Sequence, residues 1–216
     1  MTNIRKHQWN YIKKQIGNLQ NACQTASDPK VVASVRYSVQ SKIMELLSES
    51  PDIQQQLLDP IASLNTADDF REYLSSAETH LAEFPQLTEK QIRKLFPKNK
   101  KLALPDLSVD YRFVTYLGWI DISSTKLFIV YPLDGQVVGI EGKYTPTHKK
   151  SVCFLCNRHS ETALFTAISK ARPAHASPDY YKAVGNYMCL DSQECNKHIA
   201  DVDALEKFIR SVIGTK

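Results

Sequence analysis

The sequence predicts an α+β fold: an N-terminal four-helix bundle over residues 1–84, a short helix and linker over 85–110, and a C-terminal domain over 111–216 with antiparallel strands around a cysteine cluster. Three observations lead there. Apolar residues recur at three- and four-residue steps through the first 84 positions, the period of a helix face. Beyond residue 110 the chain turns to β-branched and aromatic runs with an Asp-Gly hairpin signal. Four cysteines then follow as two pairs, Cys153-Phe-Leu-Cys156 and Cys189-Leu-Asp-Ser-Gln-Glu-Cys195, spaced to share one metal ion.

Each helix carries its own start signal. Thr2 can cap the first, whose stripe is Trp9, Ile12, Ile16, Leu19 and Cys23. Cys23 on that face reads as a buried, inert thiol, because nothing nearby would lower its pKa. Asp28-Pro29 supplies an N-cap and a first-turn proline for the second helix, with Val32, Val35, Val39, Ile43 and Leu46 on one side. Ser50-Pro51 opens a third, and Pro60 is expected to break it. Thr66 with Asp69 resembles a capping box for a helix through Phe70, Leu74, Ala77, Leu81 and Phe84. Such stripes are buried by packing the helices together. Thr88 and Gln91 form a second box, opening a short helix that ends at Phe96-Pro97. The lysine-rich stretch with Lys98, Lys100 and Lys101 reads as a solvated linker, with phosphate or an acidic partner as the functional alternative.

Strands are expected at Tyr111–Leu117, closed by Gly118 and a core Trp119, then at 126–131. Asp134-Gly135 turns the chain into a third strand at Val137–Tyr144. Glu161–Ser169 reads as a further strand, Lys170–Pro178 as a polar, mobile hairpin tip, and a helix is expected from about Ser192, with Val202, Leu205, Ile209 and Val212 on its stripe. Knuckle, hairpin, then a ligand at a helix start is the order of a treble-clef zinc finger, making this an α/β domain around Cys153, Cys156, Cys189 and Cys195. Four sulfurs match the closed shell of one structural Zn2+, with no position open for a catalytic water. Disulfides would require an oxidising compartment, and the polar N-terminus shows no signal-peptide core. A redox C-x-x-C would need no second pair. His159 and His198 could substitute as ligands, but with four thiolates available they read as surface histidines.

The net charge of +4 is modest and no apolar run reaches the length of a membrane span. The absence of a targeting sequence points to the cytoplasm. There is no Ser/His/Asp order, Gly-rich phosphate loop, H-E-x-x-H motif or pair of carboxylates with a reason for shifted pKa values. No catalytic residue is assigned. Binding remains, to protein through an aromatic patch beside the zinc, or to RNA or the ribosome as a zinc-dependent module.

The strings His7-Gln-Trp-Asn-Tyr-Ile12, Gly118-Trp119, Cys153-x-x-Cys156-Asn and Gly185-Asn-Tyr187-Met-Cys189-x-Asp-Ser-x-x-Cys195-Asn-Lys197 resemble the FusB-type fusidic acid resistance proteins, also called elongation factor G-binding proteins, over nearly the whole chain. The resemblance implies a helical-bundle N-domain and an α/β domain with a treble-clef zinc finger. It also implies a monomeric, non-enzymatic protein that binds the C-terminal domains of elongation factor G and promotes its release from the ribosome, even from fusidic-acid-stalled complexes. No direct nucleic-acid contact is required for that role. Of the family's partner contacts, Tyr187 and Phe208 match the pattern. Val152 stands where an aromatic is expected, and Val184 where a basic residue is expected, with Lys182 nearby.

Overall fold

Short polar side chains satisfy the first free amides of several helices and so set where they begin. The computed structural model describes residues 3–177 and 179–214, and the chain divides into two units, Met1–Ala82 and Glu83–Lys216. In the first, α1 (Lys6–Thr25) packs on α2 (Pro29–Leu46) and α4 (Ala67–Glu78), and α2 also packs on α3 (Pro51–Leu58). Asp28 Oδ1 accepts from the Lys30 N–H at 2.8 Å. At the head of α4, Thr66 Oγ1 accepts from the Asp69 N–H at 3.2 Å and Asp69 Oδ2 accepts from the Thr66 N–H at 2.8 Å. The amides of Thr66 and Asn65 hold the Asp69 carboxyl below its ordinary pKa. Thr2, expected to cap α1, lies outside the described residues. At this end the Arg5 N–H donates to Gln8 Oε1 at 2.9 Å.

Trp9, Ile12, Ile16, Ile43, Ile61 and Phe70 are sealed in the core of this unit. Pro60 breaks α3 as expected, and the chain continues as a 3-10 turn, Asp59–Ser63. Two expectations are corrected here. Cys23 is half-buried rather than sealed. And α4 stops at Glu78, short of Leu81 and Phe84, because the next backbone groups bond elsewhere: the Ile4 N–H donates to His80 O at 2.9 Å and the Ala82 N–H to Ile4 O at 2.8 Å.

The second unit is built on a sheet of five antiparallel strands in sequence order, β1 (Leu117–Asp121), β2 (Lys126–Leu133), β3 (Gln136–Val152), β4 (His159–Ile168) and β5 (Ala183–Cys189). Asp134 and Gly135 both take positive φ, 50° and 76°, the twist-matched hairpin turn their types favour. The third strand runs 17 residues, well beyond the expected Tyr144. Its first part pairs with β2 and its second with β4, with an irregularity between Pro146 and Lys150. The strand expected from Tyr111 begins only at Leu117. Asp110 instead accepts from the Arg112 N–H at 3.1 Å and starts a 3-10 turn, Tyr111–Phe113, so local turn chemistry overrides β-propensity.

Alternate residues of β2 enter two different cores, as a near-continuous apolar strand requires. Leu127, Ile129 and Tyr131 pack with Leu205 and Ile209 of α7 (Asp203–Ile213). Phe128 and Val130 pack with Ile92, Phe96 and Leu102, from α5 (Glu89–Leu95) and the chain after it. Much of the stretch expected as short helix and linker, 85–110, therefore forms a layer over the sheet. Thr88 and Gln91 make the anticipated capping box, and Phe96 and Pro97 end α5. The single helix expected from Ser192 is in fact two, α6 (Ser192–Asn196) and α7. Asp201 Oδ1 takes the Asp203 N–H at 2.8 Å and begins a fresh turn. In the polar excursion after β4, the Lys170 N–H is tied to Val212 O at 2.7 Å, so its first residue is anchored on α7; Pro178 lies outside the described residues.

Candidate metal centre and partner surface

Each cysteine pair is shaped by its own local turn. At the end of β3, the Asn157 N–H donates to Cys153 O at 2.9 Å and the Cys153 N–H to Arg158 O at 3.0 Å. Asn157 has φ 54°, the left-handed conformation that asparagine tolerates, and the turn folds Cys156 back beside Cys153. In the second pair, Asp191 Oδ1 accepts from the amides of Gln193 and Glu194 at 2.8 and 3.1 Å, capping α6. Ser192 Oγ donates to Gly118 O at 2.6 Å. Asn196 then clamps the approach to β1: its Oδ1 accepts from the amides of Thr115 and Tyr116 at 2.9 and 3.1 Å, and its Nδ2 donates to Tyr116 O at 2.9 Å. These bonds place Cys195, on α6, against Cys153 at the end of β3.

The four sulfurs lie within 4.8 Å of one another and all four residues are buried. Cys153 and Cys195 Sγ are 3.8 Å apart, and Cys156 and Cys189 Sγ 3.6 Å. Disulfide bonding would need about 2.05 Å. A tetrahedral zinc with ligands at about 2.3 Å separates its sulfurs by about 3.8 Å. The spacing fits the metal. The surroundings fit thiolate as well. The amides of Leu155 and Cys189 each lie 3.4 Å from Cys153 Sγ, and Ser160 Oγ lies 3.1 Å from Cys189 Sγ. The Tyr116 phenol is fully buried, without a hydrogen-bond partner for its hydroxyl among the described residues, and it stands beside Cys195. Burial, with Cys195 next, holds that phenol well above its ordinary pKa, so the hydroxyl stays protonated.

The thiols of Cys156, Cys189 and Cys195 converge on Cys153 and push its pKa far below the ordinary thiol value. The Cys153 sulfur in turn pushes Cys189 and Cys195 far above theirs. Like charges so close cannot all ionise on their own; a divalent cation at their centre removes that conflict. His159 is exposed on β4, and His198 Nε2 lies 3.1 Å from Glu194 Oε1, so neither enters the sulfur cluster.

The residues expected to touch a partner fall at two depths. Tyr187 is 45% and Val152 44% exposed. Tyr187 O accepts from the Phe154 N–H at 2.9 Å, which joins β5 to the metal-binding knuckle. Lys182 is exposed just before β5, whereas Val184 is half-buried against the core. Phe208 is 6% exposed. Its ring lies between Phe154 and Phe165, with centroids at 5.4 and 5.6 Å, beneath the surface rather than on it. Tyr116, Ser160 and Asn196 were not anticipated. Only Asn196 carried a sequence signal, as the residue following Cys195.

Residues 3–85 match the family model described as elongation factor G-binding protein, N-terminal. Residues 93–208 match that of the FBP C-terminal treble-clef zinc-finger. A solved structure described as that of the fusidic acid resistance protein FusC is similar over 98% of this chain and 98% of its own, at 27% identity and a TM-score of 0.77. No curated relative matches the chain.

Proposed function

The chain belongs to the FusB-type family of elongation factor G-binding proteins, and on that premise we propose that it binds elongation factor G and promotes its release from the ribosome, fusidic-acid-stalled complexes included. One structural Zn2+ held by Cys153, Cys156, Cys189 and Cys195 ties the knuckle to α6. The protein acts in the cytoplasm, as a monomer, by binding rather than by catalysis. The observation that carries the reading is the exposed Tyr187, hydrogen-bonded through its backbone to the metal-binding knuckle.

An aromatic ring on a rigid backbone is a good anchor for a protein partner, since little conformational entropy is lost when it docks. Val152 and Lys182 extend this face towards the C-terminal domains of the factor, and Val184 and Phe208 support it from below. Release then follows from differential affinity. A protein that prefers a factor conformation poorly compatible with the ribosome draws the factor towards that conformation, and the drug need not be touched.

Calorimetric titration into purified elongation factor G, at low and physiological salt, tests this. The expected result is a one-to-one complex that persists at physiological salt. Tyr187→Ala should weaken it by about 2 kcal/mol or more with zinc content unchanged. Equal affinity in Tyr187→Ala removes the site assignment, and no complex with zinc in place removes the function.

A further inference from the structure

Six cations and one carboxylate lie between residues 89 and 101, a local excess larger than the +4 of the entire chain. Lys90, Arg93, Lys94, Lys98, Lys100 and Lys101 are all exposed. Among the described residues none of them forms an ion pair. Arg93 and Lys94 complement the C-terminal dipole of α5, which accounts for two of the six. The remaining four have no such explanation.

A solvated linker would leave these side chains on a loose backbone, but this backbone is held at three points. Phe96 is buried, with its ring edge-on to Trp119 at 5.7 Å and to Phe128 at 5.0 Å. Asn99 Oδ1 accepts from Lys126 Nζ at 2.7 Å while its amide donates to Glu141. Leu102 is sealed in the same core. Glu141, the nearby carboxylate, is already engaged by Lys126 at 2.9 Å. Lys98 and Lys100 therefore flank a fixed residue. Lys90, Arg93, Lys94 and Pro97 line one shallow depression with Glu89.

We propose that this basic face, formed by α5 and the anchored loop after it, docks on the phosphate backbone of an RNA. Its composition separates RNA from an acidic protein. Protein interfaces are depleted in lysine and rely on apolar or aromatic anchors at their centre. This face carries five lysines and no exposed large hydrophobic side chain. Phosphates need only point charges at suitable separations, and with no exposed aromatic on this face, and Gln91 Oε1 held by the Thr88 N–H at 2.8 Å, the contact carries no sequence preference. The inference is independent of Tyr187 and of the identity of the protein partner.

The test is fluorescence titration of the full zinc-loaded chain with a labelled RNA hairpin, and separately with polyglutamate, across a salt series. Binding to RNA should weaken with log salt at a slope of about −3 to −5. The triple variant Lys98→Gln, Lys100→Gln, Lys101→Gln should lose about three from that slope and at least about tenfold in low-salt affinity. A control with the same charge change on exposed lysines of the helical unit, Lys14→Gln, Lys30→Gln and Lys42→Gln, should bind as the parent does. Equal losses in both triple variants would mean net charge alone is responsible and would overturn the proposal. So would loss of polyglutamate binding with RNA binding intact, which would assign the face to an acidic protein.

Discussion

Tyr116 contributes nothing to the ligand count of the metal centre, yet its hydroxyl is buried beside Cys195 with no hydrogen-bond partner among the described residues. A buried orphan donor costs about 1–3 kcal/mol, a cost that a hydrogen bond to the ionised, metal-bound Cys195 sulfur would remove. Such a bond would also shape the metal site, since groups behind the ligands orient them and tune their charge. Tyr116→Phe, which keeps the ring and deletes the donor, should lower zinc affinity by about tenfold or more while the fold stays intact. Chelator competition measures this, and an unchanged affinity would show that the hydroxyl has no part in holding the metal. Tyr116 could not be picked from the sequence, because it lies far along the chain from Cys195 and long-range bonds of Asn196 and Ser192 bring them together.

Among the elements, β1 and α6 meet closely at Gly118, beside the metal centre. A Cβ placed on Gly118 would sit 2.5 Å from Tyr116 Cε2 and 3.1 Å from Ser192 Cβ. The ring that would have to move is the one beside Cys195, so Gly118→Ala presses directly on the metal centre. Thermal unfolding of the zinc-bound protein should show a loss of about 1–3 kcal/mol, accompanied by weaker zinc binding. A neutral result would mean that β1 and α6 can part without disturbing the sulfurs. The caps of α2, α4 and α5 were legible in the sequence because a cap is settled within three residues: Asp28, Thr66 with Asp69, and Thr88 with Gln91 all act as their spacing suggests. Strand ends were less legible. Where β3 stops depends on its partners on either side, and no local residue announces them.

Across the whole molecule, each unit has its own core, and only the second contains the sulfur cluster. Zinc binding to such a site can supply on the order of ten kcal/mol of folding free energy. Withdrawing the metal with a chelator should therefore unfold the sheet unit while the helical signal of residues 6–78 persists, as circular dichroism followed against zinc release will report. Acid should do the same. Metal-bound thiolates have pKa values depressed below the ordinary thiol value, so their contribution is present at neutral pH and is lost as pH falls and protons displace the metal. Unfolding of both units in a single step on chelation would refute independent stabilisation of the sheet unit by its metal.

The sequence by itself determined the features that depend on near neighbours or on fixed spacing: the helical N-terminal half, the Asp134-Gly135 hairpin, and two cysteine pairs able to close on one ion. Chemistry of this kind needs only a few consecutive residues. Tertiary structure alone decided that much of residues 85–110 lies over the sheet rather than beside it, that Phe208 is buried while Tyr187 is exposed, and that six cations stand on α5 and the anchored loop after it. Those outcomes depend on which face of each strand finds a cover, and burial is settled between segments far apart in the chain.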